Sequence, residues 1–184
     1  EDEIENWKDF LDVMVSSISD NGGRSCVNAS AVIVPKYGRE IADALGERLG
    51  PLNPLPVDDP NAVLSGFANP KMGEWINSTL ESDLAEKGAY DATAPFRSGS
   101  RLLEAEGGTY LRPTIVHCDS MEHVLANREF LCPYASVVEV PQAEMLRSIG
   151  PTLVVTAITK DESFKRQLLG ASNVERLNIG PIST

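Results

Sequence analysis

The hydrophobic pattern of the first segment is helical. Ile4, Trp7, Leu11, Met14, Val15 and Ile18 recur at steps of three and four residues, which puts them on one face. Asp2 with Glu5 has the spacing of a capping pair at the start of that helix. Asn21-Gly22-Gly23 supplies a stop, because glycine takes the left-handed backbone at low cost. Residues 31–35, Ala-Val-Ile-Val-Pro, then form a short apolar run suited to a buried strand. Helical spacing returns over 37–49, with Ile41, Ala44, Leu45 and Leu49 inward. Residues 51–60 hold four prolines and two aspartates, which excludes helix and central strand and predicts a surface loop. A helix is predicted over 71–87, then a polar stretch to 100. Strands are predicted at 101–103 and 110–116 around Gly107-Gly108, followed by a short helix at 120–127. The remainder alternates: strand 136–140, helix 142–149, strand 152–158, helix 161–169 ended by Gly170, strand 174–179.

Strands alternating with helices predict an α/β fold, a largely parallel open sheet flanked by helices. The 184 residues suffice for one domain with its own core. Residue 1 is Glu rather than Met, which reads as a processed or excised piece. No apolar run reaches the roughly 18 residues of a membrane span, and the acidic start is unlike a signal peptide. A net charge of −11 repels phosphate backbones, so nucleic acid is not an expected partner. Three cysteines, Cys26, Cys118 and Cys132, are too few and too scattered for a disulfide framework and lack the spacing of a zinc site. No metal is expected, and a reducing cytoplasm is the natural setting.

Cys26 is the first candidate for chemistry. It follows a helix and a glycine break and precedes a strand, a position that offers access to solvent and free backbone N–H groups. A thiol acts as a nucleophile when it is reachable and in a donor-rich field. On spacing alone, a cysteine beside an apolar strand is more often a small buried hydrophobe.

The wider segment adds a resemblance. Asn21-Gly22-Gly23-Arg24-Ser25-Cys26 resembles the N-x-G-Q-x-C signature around the active-site cysteine of the aldehyde dehydrogenase superfamily, with Arg24 in place of Gln. Gly107-Gly108-Thr109-Tyr110-Leu111-Arg112-Pro113-Thr114-Ile115 is similar to the family's G-x-[FY]-x-x-P-T-[IVL] segment. Glu129-Phe130-Leu131-Cys132-Pro133-Tyr134 resembles E-[IE]-F-G-P-V, with Leu131 for Phe and Cys132 for Gly. Leu177-Asn178-Ile179-Gly180 resembles the strand-to-loop segment near the family's substrate funnel. The four blocks stand in order from Cys26 to Gly180.

The resemblance implies the cysteine-bearing catalytic domain of an aldehyde dehydrogenase over residues 1–184, oxidising an aldehyde to a carboxylic acid. Cys26 would attack the aldehyde carbon to give a thiohemiacetal and then a thioester. Glu129 would accept the ribose hydroxyls of NAD or NADP, with Leu131 beside it, and Arg24, Ser25 and Asn178 would border the substrate. Most of the cofactor site, the general-base glutamate and a side-chain oxyanion donor lie upstream in that family. The chain alone is therefore expected not to oxidise aldehydes, and the full-length protein is expected to be a homo-oligomer. Arg24, two residues from the thiol, would favour the thiolate. Two other readings are open: a cysteine acyl hydrolase pairing Cys26 with His117, and a divergent non-catalytic domain. His117 and His123 are otherwise read as structural.

Overall fold

A computed structural model of the protein describes residues 3–184. The first helical segment has two parts. A 3-10 helix over Ile4–Phe10, kinked at Asn6, leads into α1 (Leu11–Ser19). Asp2 of the anticipated capping pair lies outside the described residues. Glu5 instead reaches sideways, accepting from Tyr37 Oη at 2.6 Å and from Lys36. These two partners hold its carboxyl below the usual range, against a small opposing effect of burial.

The strands are β1 (Ala31–Val34), β2 (Ala89–Asp91), β3 (Leu102–Ala105), β4 (Gly108–Leu111), β5 (Thr114–Cys118), β6 (Tyr134–Glu139), β7 (Thr152–Ala157) and β8 (Val174–Ile179). The main sheet has the order β1-β6-β5-β2. Its first three strands are parallel and β2 is an antiparallel edge. β7 and β8 form a separate parallel pair, and β3 and β4 an antiparallel hairpin. The architecture is the expected α/β fold with a largely parallel sheet.

The helices cover this sheet for readable reasons. α2 (Gly38–Leu49) buries Ile41, Leu45 and Leu49 completely at four-residue spacing. Each such side chain contributes about 2 kcal/mol. Its first N–H, on Gly38, donates to the Glu139 carboxylate at the end of β6, 2.7 Å away. α3 (Pro70–Leu84) begins with Asn69 accepting from the Lys71 N–H and with Pro70 in its first turn. α4 is Gln142–Ser148. α5 (Glu162–Leu169) is capped by Asp161 and buries Phe164 and Leu168.

Four local expectations need correction. The helix expected to Lys87 stops at Leu84. The polar stretch after it contains β2 and a 3-10 turn (Ala94–Phe96). The strand expected over 110–116 is two strands, broken at Arg112-Pro113 because proline has no N–H to donate. The helix expected over 120–127 is a 3-10 turn of Val124–Asn127.

The hidden order around β2 is electrostatic. Asp91 takes bonds from Thr93, from Arg97 at 2.5 Å and from Arg101 at 2.9 Å, and Arg101 also reaches Asn77. The two arginines and the aspartate are buried, so the network ties β2 to α3 and β3 where few apolar side chains could.

Candidate active site

Cys26 lies in the connection between α1 and β1, and the backbone there is unusual. Asn21, Gly22 and Gly23 adopt φ of 56°, 68° and 64°, three successive left-handed residues. Only glycine and asparagine enter that region cheaply. The turn throws the chain away from the helix axis and brings Cys26 to the surface, where it is exposed.

Asn28 fixes the turn. Its Oδ1 accepts from the Ser25 N–H at 2.8 Å, and its Nδ2 donates to the carbonyls of Ser17 and Asp20, each at 3.0 Å. One side chain thus holds the loop on both sides of the cysteine to the end of α1. Gly23 fixes a second contact. A Cβ there would lie 2.4 Å from the Pro133 nitrogen and 2.5 Å from the Cys132 carbonyl carbon. The cysteine turn therefore packs backbone to backbone on the loop that follows Glu129. Neither role was foreseen. Asn28 was legible as an Asx-turn residue, whereas the partner of Gly23 is distant in sequence.

Cys26 and Glu129 line the same cleft, of about 520 Å3, bordered by α1, β1 and β7. Cys26 leads into β1 and Glu129 into β6, which are parallel, so both sit at the N-terminal ends of their strands. Glu129 is exposed, and Leu131 beside it is 52% exposed. Glu129 and Leu131 also share a small recess with Ser25 and Gly23.

Other anticipated residues lie elsewhere. Arg24 turns away from the thiol: its guanidinium stacks 4.2 Å from the Phe67 ring and donates to the Ser65 carbonyl at 2.8 Å. Burial lowers its pKa, against smaller opposing effects of Cys132 and Tyr110. Asn178 bridges β8 to β7 through Thr156 Oγ1 at 3.1 Å and does not border the cleft. His117 is on β5, stacked on Tyr90 at 5.3 Å with Asp119 beside it, and is not brought to Cys26. Cys118 and Cys132 are buried, and desolvation pushes both thiols up to about 12. Cys132 is buried in the core cluster that also holds Phe130 and Tyr134.

The fold has close counterparts among solved structures. An aldehyde dehydrogenase from Bacillus cereus superposes with a TM-score of 0.79 over 97% of this chain at 16% identity. Lactaldehyde dehydrogenase from Escherichia coli gives 0.78 over 95% at 19% identity. The chain has the aldehyde dehydrogenase fold. It spans about a third of those structures, 36% of each. A γ-glutamyl-γ-aminobutyraldehyde dehydrogenase from Burkholderia cenocepacia superposes with a TM-score of 0.76 at 17% identity, over 94% of this chain and 34% of its own. No family model and no curated protein matches the sequence. The aldehyde dehydrogenase fold therefore persists here at a sequence distance where only short motifs remain to be read. Among the described residues no cluster of side chains suits a metal ion, and no helix is long and apolar enough to cross a membrane.

Proposed function

We propose that this chain is the cysteine-bearing part of an NAD(P)-dependent aldehyde dehydrogenase, with Cys26 as nucleophile and a small-molecule aldehyde as substrate. The observation that carries the reading is an exposed thiol on a rigid left-handed turn, facing a cleft that it shares with the Glu129 carboxylate.

Cys26 adds through sulfur to the aldehyde carbon, forming a thiohemiacetal. The Cys26 N–H has no partner among the described residues and is the nearest donor for the resulting oxyanion. Asn28 and Gly23 keep that donor and the sulfur in a fixed relation to Glu129.

An exposed carboxylate beside an exposed apolar side chain suits a ribose diol next to a flat ring, so Glu129 and Leu131 fit the nicotinamide end of a dinucleotide. NAD(P), when bound, supplies the hydride acceptor that converts the thiohemiacetal to a thioester. The Bacillus cereus aldehyde dehydrogenase was solved as an NAD+ complex, which supports that choice of cofactor. The dinucleotide would be held mainly by polypeptide outside residues 1–184, and the whole protein would be a cytoplasmic homo-oligomer.

Carbon-13 NMR of an aldehyde labelled at its carbonyl tests the nucleophile without a cofactor. The wild-type chain should give a thiohemiacetal carbon signal that Cys26→Ser abolishes. The same signal in both proteins would reject Cys26.

A further inference from the structure

Three arginines gather where the loop of residues 97–101 enters the β3–β4 hairpin. Arg97 and Arg101 both donate through Nη2 to one oxygen of Asp91, Oδ2, at 2.5 and 2.9 Å. The other oxygen, Oδ1, accepts from the Thr93 N–H at 3.0 Å and from the Thr93 hydroxyl. That carboxylate is fully engaged, since its lone pairs number about four. Each guanidinium keeps unused donors. Nε of both is buried with no hydrogen-bond partner, and Arg97 donates through Nη2 alone.

Arg112 brings a third charge to the same place. Its N–H donates to the Arg101 carbonyl at 2.9 Å, one step beyond the Leu102–Leu111 pair of the hairpin. Arg101 and Arg112 are thus cross-strand neighbours, and like charges directly opposite one another disfavour a strand pair. The Arg112 side chain reaches the loop: Nη1 donates to the Ser100 carbonyl at 2.6 Å and Nε to Asn53 at 2.8 Å. Its Nη2 has no partner among the described residues.

Among the described residues Asp91 is the only carboxylate that bonds to any of the three. Glu81 bonds to Asn77, not to a guanidinium. Three cations therefore face one anion, in a chain whose net charge is −11. Charges held out of water are costly unless they are paired. Between the arginines, Ser98, Gly99 and Ser100 are exposed, and Gly99 has a φ of 93°. The N–H groups of these three residues have no acceptor among the described residues.

We propose that this loop binds an oxyanion of the phosphate class, free or carried on a small ester. The anion accepts from the N–H groups of residues 98–100 and from the unused donors of Arg97 and Arg112, and it supplies the negative charge that Asp91 alone does not. Phosphate is favoured because guanidinium groups bond its oxygens in pairs, and because its tetrahedral oxygens can meet donors that arrive from several directions. The inference uses no property of Cys26 and stands apart from the dehydrogenase reading.

The test is an amide NMR titration of the 184-residue chain with inorganic phosphate, at an ionic strength held constant with chloride. The amides of Ser98, Gly99 and Ser100 should shift saturably. Shifts that never saturate, or that chloride alone reproduces, reduce the effect to screening and overturn the site. Arg112→Gln, at the surface, should weaken phosphate binding about tenfold. Arg97→Lys keeps the charge but loses the planar fork, and should weaken it as well. Unchanged affinity in a folded Arg112→Gln chain contradicts the proposal, whether or not the Arg97 variant folds. Glycerol phosphate distinguishes the sources: binding as tight as that of the free ion, or tighter, assigns the site to a phosphate ester, and binding of the free ion alone assigns it to inorganic phosphate.

Discussion

Replacing Asn28 by Ala removes the brace of the cysteine turn. Three hydrogen bonds are lost: from Ser25 N–H, and to the Ser17 and Asp20 carbonyls. A typical bond contributes about 1 kcal/mol net. The Asp20 bond is at the surface, where water replaces it. The Ser17 carbonyl keeps the Ala29 N–H at 2.8 Å. The balance is a loss of about 2 kcal/mol, or about 4–8 °C in Tm for a chain of this size. Urea denaturation should show the loss at unchanged slope, and the alkylation rate of Cys26 should change with it. Asn28→Asp should not rescue stability, because it keeps the acceptor for Ser25 but sets a carboxylate against two carbonyls. A loss under about 0.5 kcal/mol, with Cys26 alkylating at the wild-type rate, would refute the idea that Asn28 holds the turn.

Gly23→Ala places a Cβ against the Cys132-Pro133 backbone at a left-handed φ, so it should cost about 3 kcal/mol or more in denaturation; a loss below about 1 kcal/mol would mean the two loops can separate freely. Arg24→Gln should leave the pH profile of Cys26 alkylation unchanged while weakening the contact with Phe67 by about 1 kcal/mol; a shifted profile would put the guanidinium back beside the thiol. Burial raises the Asp91 carboxyl, but the Thr93 hydrogen bond and the Arg97 and Arg101 guanidinium groups outweigh it and hold its pKa below the usual aspartate range. The stability it supplies is therefore full above the unfolded carboxyl's range and is lost as pH falls through the lower folded value. Wild type and Asp91→Asn should accordingly converge in Tm only in strong acid, and a constant gap down to low pH would contradict the pairing.

Much of the fold could be read from spacing. α2 was readable because Ile41, Leu45 and Leu49 repeat at four residues, and β1 and β6 because short apolar runs are bounded by turn residues. β2 was hidden because Ala89-Tyr90-Asp91 has no apolar alternation; its place comes from a buried aspartate whose arginines lie later in the chain. The order β1-β6-β5-β2 was beyond reach as well, since a sequence shows each strand but not its neighbours. In the site, the Cys26 turn was readable from Asn21-Gly22-Gly23, whose backbone preference is local. The direction of Arg24 was not, because Phe67 and Ser65 are distant in sequence and proximity along the chain gave the wrong neighbour. The partner of Asn178, Thr156 across a strand pair, was hidden for a similar reason.

The proposed chemistry requires that one sulfur of three can be reached and used. Brief iodoacetamide treatment of the native chain, followed by peptide mass spectrometry, separates them. Cys26 is exposed, whereas Cys118 and Cys132 are buried with thiols pushed up to about 12. The expected result is label on Cys26 alone, with the other two labelled only after denaturation. Label on Cys118 or Cys132 with Cys26 untouched would rule out Cys26 as the nucleophile.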